Sequence, residues 1–248
     1  MTTIIARPYV FIFLIAFLIL SIRKWGLAKS LLWLISGYFI AWFSEYSSIH
    51  NGFPYGEYHY IYENLKGELM LAGVPFFDSL SYSFLTFAGY STADFLLSKS
   101  SSKLKTLKLI LLGALLTMLL DVIIDPVATM GERWFLGKIH FYAHPGLYFG
   151  VPATNFVGWF LVALTIISFN FIIWKIFPNV FVKEPIKKSE WIYPAFYIGI
   201  ALFNIGISLW LREYQLAGNG ISILSGIFIT AAIYQFRLKS SCSHNRQV

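Results

Sequence analysis

The sequence predicts an all-α membrane protein, a polytopic bundle of about seven transmembrane helices. Of its 248 residues, 57% are hydrophobic and only 12% are charged, and the mean hydropathy is +0.66. Soluble domains carry about 25% charged residues. Seven apolar stretches are long enough, or nearly so, to cross a hydrocarbon core of about 30 Å as helices. They lie near residues 7–22, 27–44, 74–97, 105–125, 152–174, 191–211 and 217–236.

The composition favours a single transmembrane domain over residues 1–248 and argues against several other classes. The net charge of +7 could suggest nucleic acid, but the basic residues cluster in short loops and not along one amphipathic face. No nucleic acid partner is therefore expected. The one cysteine, Cys242, has no second cysteine with which to form an internal disulfide.

The basic residues also predict how the chain is oriented. The loops after the first, third and fifth stretches and the C-terminal tail hold 14 Lys and Arg, whereas the opposite side holds 5. Short loops rich in Lys and Arg stay on the cytoplasmic side. We therefore expect an integral cell-membrane protein with its C-terminus in the cytoplasm and its N-terminus outside.

A pattern that occurs twice predicts an internal repeat of two spans. An acidic residue ends an apolar stretch, an aromatic-rich loop follows, and Gly-Val-Pro opens the next stretch. The first copy runs from Glu45 to Pro75 and the second from Asp121 to Pro152. Asp78 and Asn155 each lie five residues beyond the glycine of that tripeptide. The predicted halves are residues 27–97 and 105–174, and we expect both loops to fold over the outer mouth of the bundle.

Four carboxyl groups are predicted to gather at that mouth. Asp121 and Asp125 are four residues apart and so share one helix face. Pro126 disfavours helical geometry at Asp125, which should therefore end its helix. Glu45 is expected to end the second helix at a similar depth, and Asp78 to begin the third. An acid at membrane depth is a functional candidate by default, although headgroup water or a hydrogen bond to Tyr or Asn would also accommodate one.

Two further patterns suggest other kinds of site. His140 and His144 have the spacing of metal ligands on one helical face, as in di-iron membrane hydroxylases, but such enzymes need more histidine pairs than this chain offers. No metal site is therefore expected. Retinal binding needs a lysine in the last helix, and residues 217–236 contain none. Trp159 lies about two turns inside the fifth span, where an aromatic face can stabilise a cation or fill space.

The combined motifs resemble the integral-membrane carotenoid-biosynthesis family, which includes carotenoid hydratases of the bisanhydrobacterioruberin hydratase kind. The resemblance covers about residues 35–165, and the segment 76–97 is more polar than the family pattern. It rests on Glu45, the run Tyr55-Gly56-Glu57-Tyr58-His59-Tyr60, Gly73-Val74-Pro75, Asp121, Asp125-Pro126, Gly150-Val151-Pro152, Asn155-Phe156 and Gly158-Trp159.

The resemblance implies addition of water to a terminal isoprenoid double bond of an acyclic carotenoid, giving a tertiary alcohol. Asp121 or Glu45 would donate the proton, and Asp125 would activate the water. Trp159 and Tyr58 would stabilise the cation, and Tyr55, Asp78 and Asn155 would contact the substrate. No cofactor is expected. The implied partners are a carotenoid or other long isoprenoid, the lipid bilayer and other enzymes of the carotenoid pathway.

Two other functions compete with this interpretation. One is a non-enzymatic lipid or polyene binder, or a small transporter, built on the same repeat. Transporters place their sites near the midplane of the bilayer, whereas the polar residues here gather at one mouth. The other is a His-dependent membrane hydroxylase that uses His140 and His144.

The predicted orientation is tested by labelling single cysteines introduced at Lys66 and Lys103, after Cys242 is replaced by serine. We expect a membrane-impermeant thiol reagent to reach position 66 from outside intact cells. Position 103 should be labelled only after the cells are opened. Labelling of both positions from the same side would contradict the predicted topology.

Overall fold

Seven α-helices make up most of the part of the chain that the structure describes, and they confirm the predicted all-α bundle. The structure is a computed structural model that describes residues 7–100, 102–130, 138–181 and 190–244, with side chains as far as residue 233. The helices are α1 (Pro8–Trp25), α2 (Leu27–Asn51), α3 (Phe76–Leu96), α4 (Lys105–Ala128), α5 (Ala153–Ile176), α6 (Ile192–Trp210) and α7 (Tyr214–His244).

Helix α3 occupies the centre of the bundle. Six of the seven helices are long and apolar enough to cross a membrane, and α3 is the exception. It packs against α1, α2, α4, α5 and α6, and nearly all of its residues from Ser79 onward are buried. Several of its hydroxyl groups donate to backbone carbonyls, as Thr86 does to Tyr82 and Ser83 to Leu34. A helix that other helices shield from lipid can carry polar side chains once these are paired.

Two helices extend further than the sequence predicts, so two acids lie inside helices and not at their ends. Helix α2 continues through Glu45 to Asn51 and ends at Gly52, whose left-handed backbone (φ 78°) lets its N–H bond to the Ser48 carbonyl. Helix α4 continues past Asp125 and through Pro126 to Ala128. The prediction that Glu45 and Asp125 end their helices was wrong. A proline inside a helix removes one backbone hydrogen bond, and a transmembrane helix tolerates that loss when neighbouring groups compensate.

A two-stranded sheet joins the two long loops above the bundle. Strand β1 (Tyr58–Tyr60) pairs antiparallel with β4 (His140–Tyr142), with Tyr58 opposite Tyr142 and Tyr60 opposite His140. Alternate residues face the same side of a strand, so Tyr58 and Tyr60 are buried while His59 is exposed. The structure thus confirms that both loops fold over the bundle. Trp134 and Phe135, which belong to the second predicted loop, lie outside the described residues.

The two Gly-Val-Pro segments share one local geometry. Ala72 and Gly73 have φ of 50° and 82°, and Phe149 and Gly150 have φ of 51° and 83°. In the first half this turn joins β2 (Met70–Leu71) to β3 (Val74–Pro75). Pro75 and Pro152 then cap α3 and α5 from extended backbone. These matches agree with a two-span repeat, and the boundaries of its halves at 27–97 and 105–174 stay a prediction.

Helix α5 carries a close contact with the first loop at Gly158. A methyl group at this position would lie 2.5 Å from the Tyr55 ring and 2.8 Å from the Pro54 carbonyl oxygen. Tyr55 itself is 2% exposed. Only a residue without a side chain therefore lets the loop bring Tyr55 against α5.

Replacing Gly158 by alanine should lower the free energy of unfolding by about 1–3 kcal/mol, because overpacking forces the loop away from α5. Gly199→Ala in α6 is the matched control, since a methyl group there meets nothing within 4 Å. Both substitutions gain the same helix propensity, so the difference between them isolates the clash. Denaturant unfolding in detergent measures it, and equal stability of the two variants would contradict the contact.

Candidate active site

A cavity of about 180 Å³ lies inside the bundle beneath the β1–β4 sheet. Drug-sized ligand pockets enclose about 300–1,000 Å³, so this cavity fits the end of a long substrate and not the whole of it. The structure brings to its walls every residue that the sequence predicts for the site: Glu45, Tyr55, Tyr58, Asp78, Asp121, Asp125, Asn155 and Trp159.

Asn155 joins the two aspartates of α4. Its side-chain nitrogen donates to Oδ2 of Asp121 at 2.8 Å and lies 3.3 Å from Oδ2 of Asp125. Asp121 is 2% exposed and Asp125 is 8% exposed. Because Asp121 and Asp125 lie one helical turn apart, one amide at the start of α5 can reach both carboxyl groups. The buried pair is thus held at a fixed distance from α5.

Asp125 is also held from above by strand β4. The Tyr142 hydroxyl donates to Oδ2 of Asp125 at 2.6 Å, and Nε2 of His140 lies 3.6 Å from Oδ1. Burial, and next the nearby Asp125, raises the pKa of Tyr142 well above its ordinary value, so the side chain stays a phenol and a hydrogen-bond donor. The sheet therefore supplies one donor, the Tyr142 hydroxyl, to Asp125 and places the His140 ring beside it.

Glu45 occupies the corresponding place in the first half of the chain. It is 5% exposed, and the Ser79 hydroxyl of α3 donates to its Oε2 at 2.6 Å. Ser79 follows Glu45 by 34 residues, as Asn155 follows Asp121. The residue that corresponds to Asn155 in its contact with the acid is therefore Ser79 and not its neighbour Asp78. The sequence analysis matched Asn155 to Asp78, one residue too early, because the first loop is one residue shorter than the second.

Asp78 lines the cavity but is paired with Arg7. The guanidinium group of Arg7 bonds Asp78 through Nη1 and Oε1 of Glu68 through Nε, the latter at 2.9 Å. Arg7 is 2% exposed, although the sequence analysis counted it only as a basic residue of the outer side. A buried charge needs a partner, so Asp78 and Glu68 both serve to neutralise this arginine.

An aromatic wall faces the acids. Trp159 of α5 stacks on Tyr82 of α3, with ring centroids 3.9 Å apart and planes 8° apart, and the Tyr55 ring lies 6.4 Å from Trp159. The Tyr58 side chain lies on the buried face of the sheet, and its hydroxyl oxygen is 3.4 Å from that of Tyr60. Burial, and next Glu45, raises the pKa of Tyr58, so its ring remains a neutral aromatic face. Such faces attract a cation at a distance of about 6 Å or less.

The comparison with known protein families covers most of the chain. The family model for carotenoid biosynthesis proteins matches residues 6–231. The chain belongs to this carotenoid-biosynthesis family. No curated protein matches this carotenoid-biosynthesis protein, and no solved structure matches it. The match extends well beyond residues 35–165 and includes α6 and the part of α7 as far as residue 231.

Sequence reasoning missed several groups that the carotenoid-biosynthesis protein places at the cavity. Tyr82 lies one helical turn after Asp78, so the spacing on α3 could have indicated it. The period-two alternation of tyrosines in the first loop could have indicated β1, and with it the inward position of Tyr60. The pairing of β1 with β4, which brings in His140 and Tyr142, had no signal in the local sequence. The residues missed are Arg7, Tyr60, Tyr82, His140, Tyr142 and Asn204.

His140 and His144 do not share a helical face, which the alternative His-dependent hydroxylase would need. His140 lies in strand β4 beside Asp125, and His144 lies beyond the strand and is exposed. Within the described ranges, no three His, Cys, Asp or Glu side chains are grouped so that they could hold a metal ion. His140 therefore belongs to the acid cluster and not to a histidine pair.

Proposed function

We propose that this carotenoid-biosynthesis protein is a carotenoid hydratase, which adds water to a terminal isoprenoid double bond of an acyclic carotenoid and forms a tertiary alcohol. One observation carries the proposal. The buried carboxyl groups of Glu45, Asp121 and Asp125 line the same small cavity as the stacked rings of Trp159 and Tyr82. Acids and aromatic faces around one apolar space are the groups that alkene protonation needs.

The first step is transfer of a proton to the alkene. The carboxyl group of Asp121 or of Glu45 donates a proton to the less substituted carbon, and the π electrons form the new C–H bond. The branched carbon is left as a tertiary cation. Each of these acids accepts a hydrogen bond from a neutral donor, Asn155 or Ser79. These bonds hold the carboxyl groups in place, and a positioned general acid contributes about 10²–10⁴-fold to a rate.

The cation then needs stabilisation without a nucleophile that would trap it. The Trp159 and Tyr58 rings offer their π faces, and Tyr82 supports Trp159 by stacking on it. A cation–π contact is worth about 2 kcal/mol or more in a site without bulk water. The two rings lie on different elements, α5 and β1, and both line the cavity in which the cation would form.

Water completes the reaction with Asp125 as the base. Tyr142 and Asn155 both approach Oδ2 of Asp125, while Oδ1 has His140 at 3.6 Å. Water attacks the cationic carbon and loses a proton to Asp125, which gives the tertiary alcohol. That proton leaves to solvent, and the general acid takes up another. The sum is alkene plus water, with no change in oxidation state and no cofactor required.

We also propose the orientation and the partners that this function requires. We place the cavity at the extracytoplasmic end of the bundle, as the distribution of basic residues predicts. The substrate chain lies among the lipid tails, and water reaches the acids from the headgroup level. Other enzymes of the carotenoid pathway would supply the acyclic polyene and use the alcohol.

Replacing Asp121 by Asn or Glu45 by Gln should each reduce turnover by about 100-fold or more, because the amide keeps the shape of the acid but cannot deliver its proton. Glu63→Gln is the control, since this exposed carboxyl group lies in the loop outside the cavity. Turnover is measured in membranes that contain equal amounts of folded protein. Near-normal turnover in both acid variants would remove them from the chemistry.

The source of the product's oxygen tests the proposed reaction itself. Membranes containing the protein are incubated with an acyclic carotenoid in ¹⁸O-labelled water, without oxygen gas, reductant or added metal. We expect a tertiary alcohol that carries the label, because water captures the cation. Product that appears only with oxygen gas, and carries its oxygen, would replace the hydratase by an oxygenase. Absence of product under every condition, with the carotenoid still bound, would favour the polyene binder.

A further inference from the structure

We propose that the isoprenoid chain of the substrate occupies the seam between α1 and α6, and that it enters this seam sideways from the bilayer. Phe13 and Phe203 separate the cavity from lipid there. The proposal rests on the proposed function for the reaction at the chain end. The location of the chain follows from the walls of the cavity.

The cavity has a polar end and an apolar end. The acids, tyrosines and His140 lie beneath the β1–β4 sheet. Arg7, Asp78 and Asn204 also line the cavity. The lining becomes apolar one to two turns further along α1 and α3 and one turn earlier along α6. These apolar lining residues are Val10, Phe13, Phe84, Leu85 and Ile200. A terminal alkene placed among the acids therefore has the rest of its polyene chain directed into this apolar end, because the chain gains from leaving polar surroundings.

Most walls of the cavity are closed by tight packing. Above it, β1 pairs with β4, and Tyr142 bonds Asp125. Further along the two helices from the cavity lining, α3 and α4 approach so closely at Gly89 that a methyl group there would lie 2.6 Å from the Gly113 carbonyl oxygen. Opening the sheet would break backbone and buried hydrogen bonds, which are costly to leave unmade. Separating α3 from α4 would undo their close packing at Gly89.

The seam between α1 and α6 is built differently. The two helices contact each other sparingly, and the contacts are between aromatic rings. Phe203 lies 5.4 Å from Tyr9 and 5.6 Å from Phe13 between ring centroids, and Phe13 lies 6.3 Å from Phe196. Rings can turn about their side-chain torsions while both backbones stay in place. This seam can therefore open by rotation of side chains alone.

The outer side of the seam faces lipid, in which a carotenoid dissolves. Ile12 beside Phe13 is 63% exposed, and Leu202 beside Phe203 is 53% exposed. On helices that span a bilayer, such side chains contact acyl chains. A long polyene dissolved among those chains can therefore slide its end between Phe13 and Phe203 without crossing the headgroup layer.

The test is a reversible crosslink between α1 and α6 across the seam. Cysteines replace Phe13 and Phe203 in a protein whose Cys242 is serine, and a short bifunctional thiol reagent with a reducible linker joins them. The same sample is assayed for hydration before joining, after joining and after reduction. We expect joining to lower turnover at least about tenfold, because a gating motion is prevented, and reduction to restore it.

A second pair of cysteines controls for the loss of general flexibility. Phe95 and Trp191 have ring centroids 4.6 Å apart at the opposite end of the bundle. Cysteines at these positions fasten the beginning of α6 to α3, far from the seam, and joining them should leave turnover unchanged. Full turnover with a completely joined seam would overturn the proposal.

Carotenoid binding gives a readout that does not depend on the reaction. The polyene retained by the purified protein is measured by its visible absorption after gel filtration. Joining the seam before the carotenoid is added should prevent its retention, whereas joining the control pair should not. If the unjoined protein binds the polyene but adds no water, the hydratase proposal fails while the seam is still tested. Equal retention of the polyene with the seam joined and unjoined would overturn entry through the seam but leave the hydratase proposal standing.

Discussion

The structure depends on one constraint, which is that three carboxyl groups inside an apolar bundle must each find hydrogen-bond donors. Burying a polar group without a partner costs several kcal/mol. Ser79 supplies a donor to Glu45, while Asn155 and Tyr142 serve the aspartates of α4. These donors come from α3, α5 and strand β4. The need to satisfy the acids therefore fixes how three parts of the chain pack around one cavity.

The two halves of the chain meet this constraint with different residues. Each half places an acid in one helix and its donor at the start of the next, 34 residues later. Only the second half has another acid one turn away, and there the donor is an amide that can reach both carboxyl groups. A hydroxyl group such as that of Ser79 has a single proton to donate. In the predicted repeat, the first half thus carries a single acid and the second an acid pair, so two similar helix pairs supply different groups to one cavity.

The sequence was sufficient for the residues whose environment is set by hydropathy and spacing. It predicted the helices from their hydropathy. It predicted the eight lining residues because an acid within an apolar stretch must face the interior of the bundle or a water-filled cavity. It was wrong about the helix ends at Glu45 and Asp125, since hydropathy falls before a helix ends and since α4 accommodates Pro126. It missed His140 and Tyr142 because the pairing of β1 with β4 joins segments about 80 residues apart. Arg7 was missed for a similar reason, as its partners Glu68 and Asp78 follow 61 and 71 residues later.

The donors that satisfy the acids also restrict how a substrate reaches them. Tyr142 ties the sheet to Asp125, so the headgroup side cannot open widely without leaving a buried carboxyl group with fewer partners. Water is small and can pass where His140 lies only partly buried beside Asp125. A polyene is too large to pass there, and it is dissolved among the lipid tails. In the proposed reaction, the donors above the acids thus leave the side of the bundle for the isoprenoid substrate. Water would then reach the reacting carbon from the sheet side, and the polyene would reach it from the lipid.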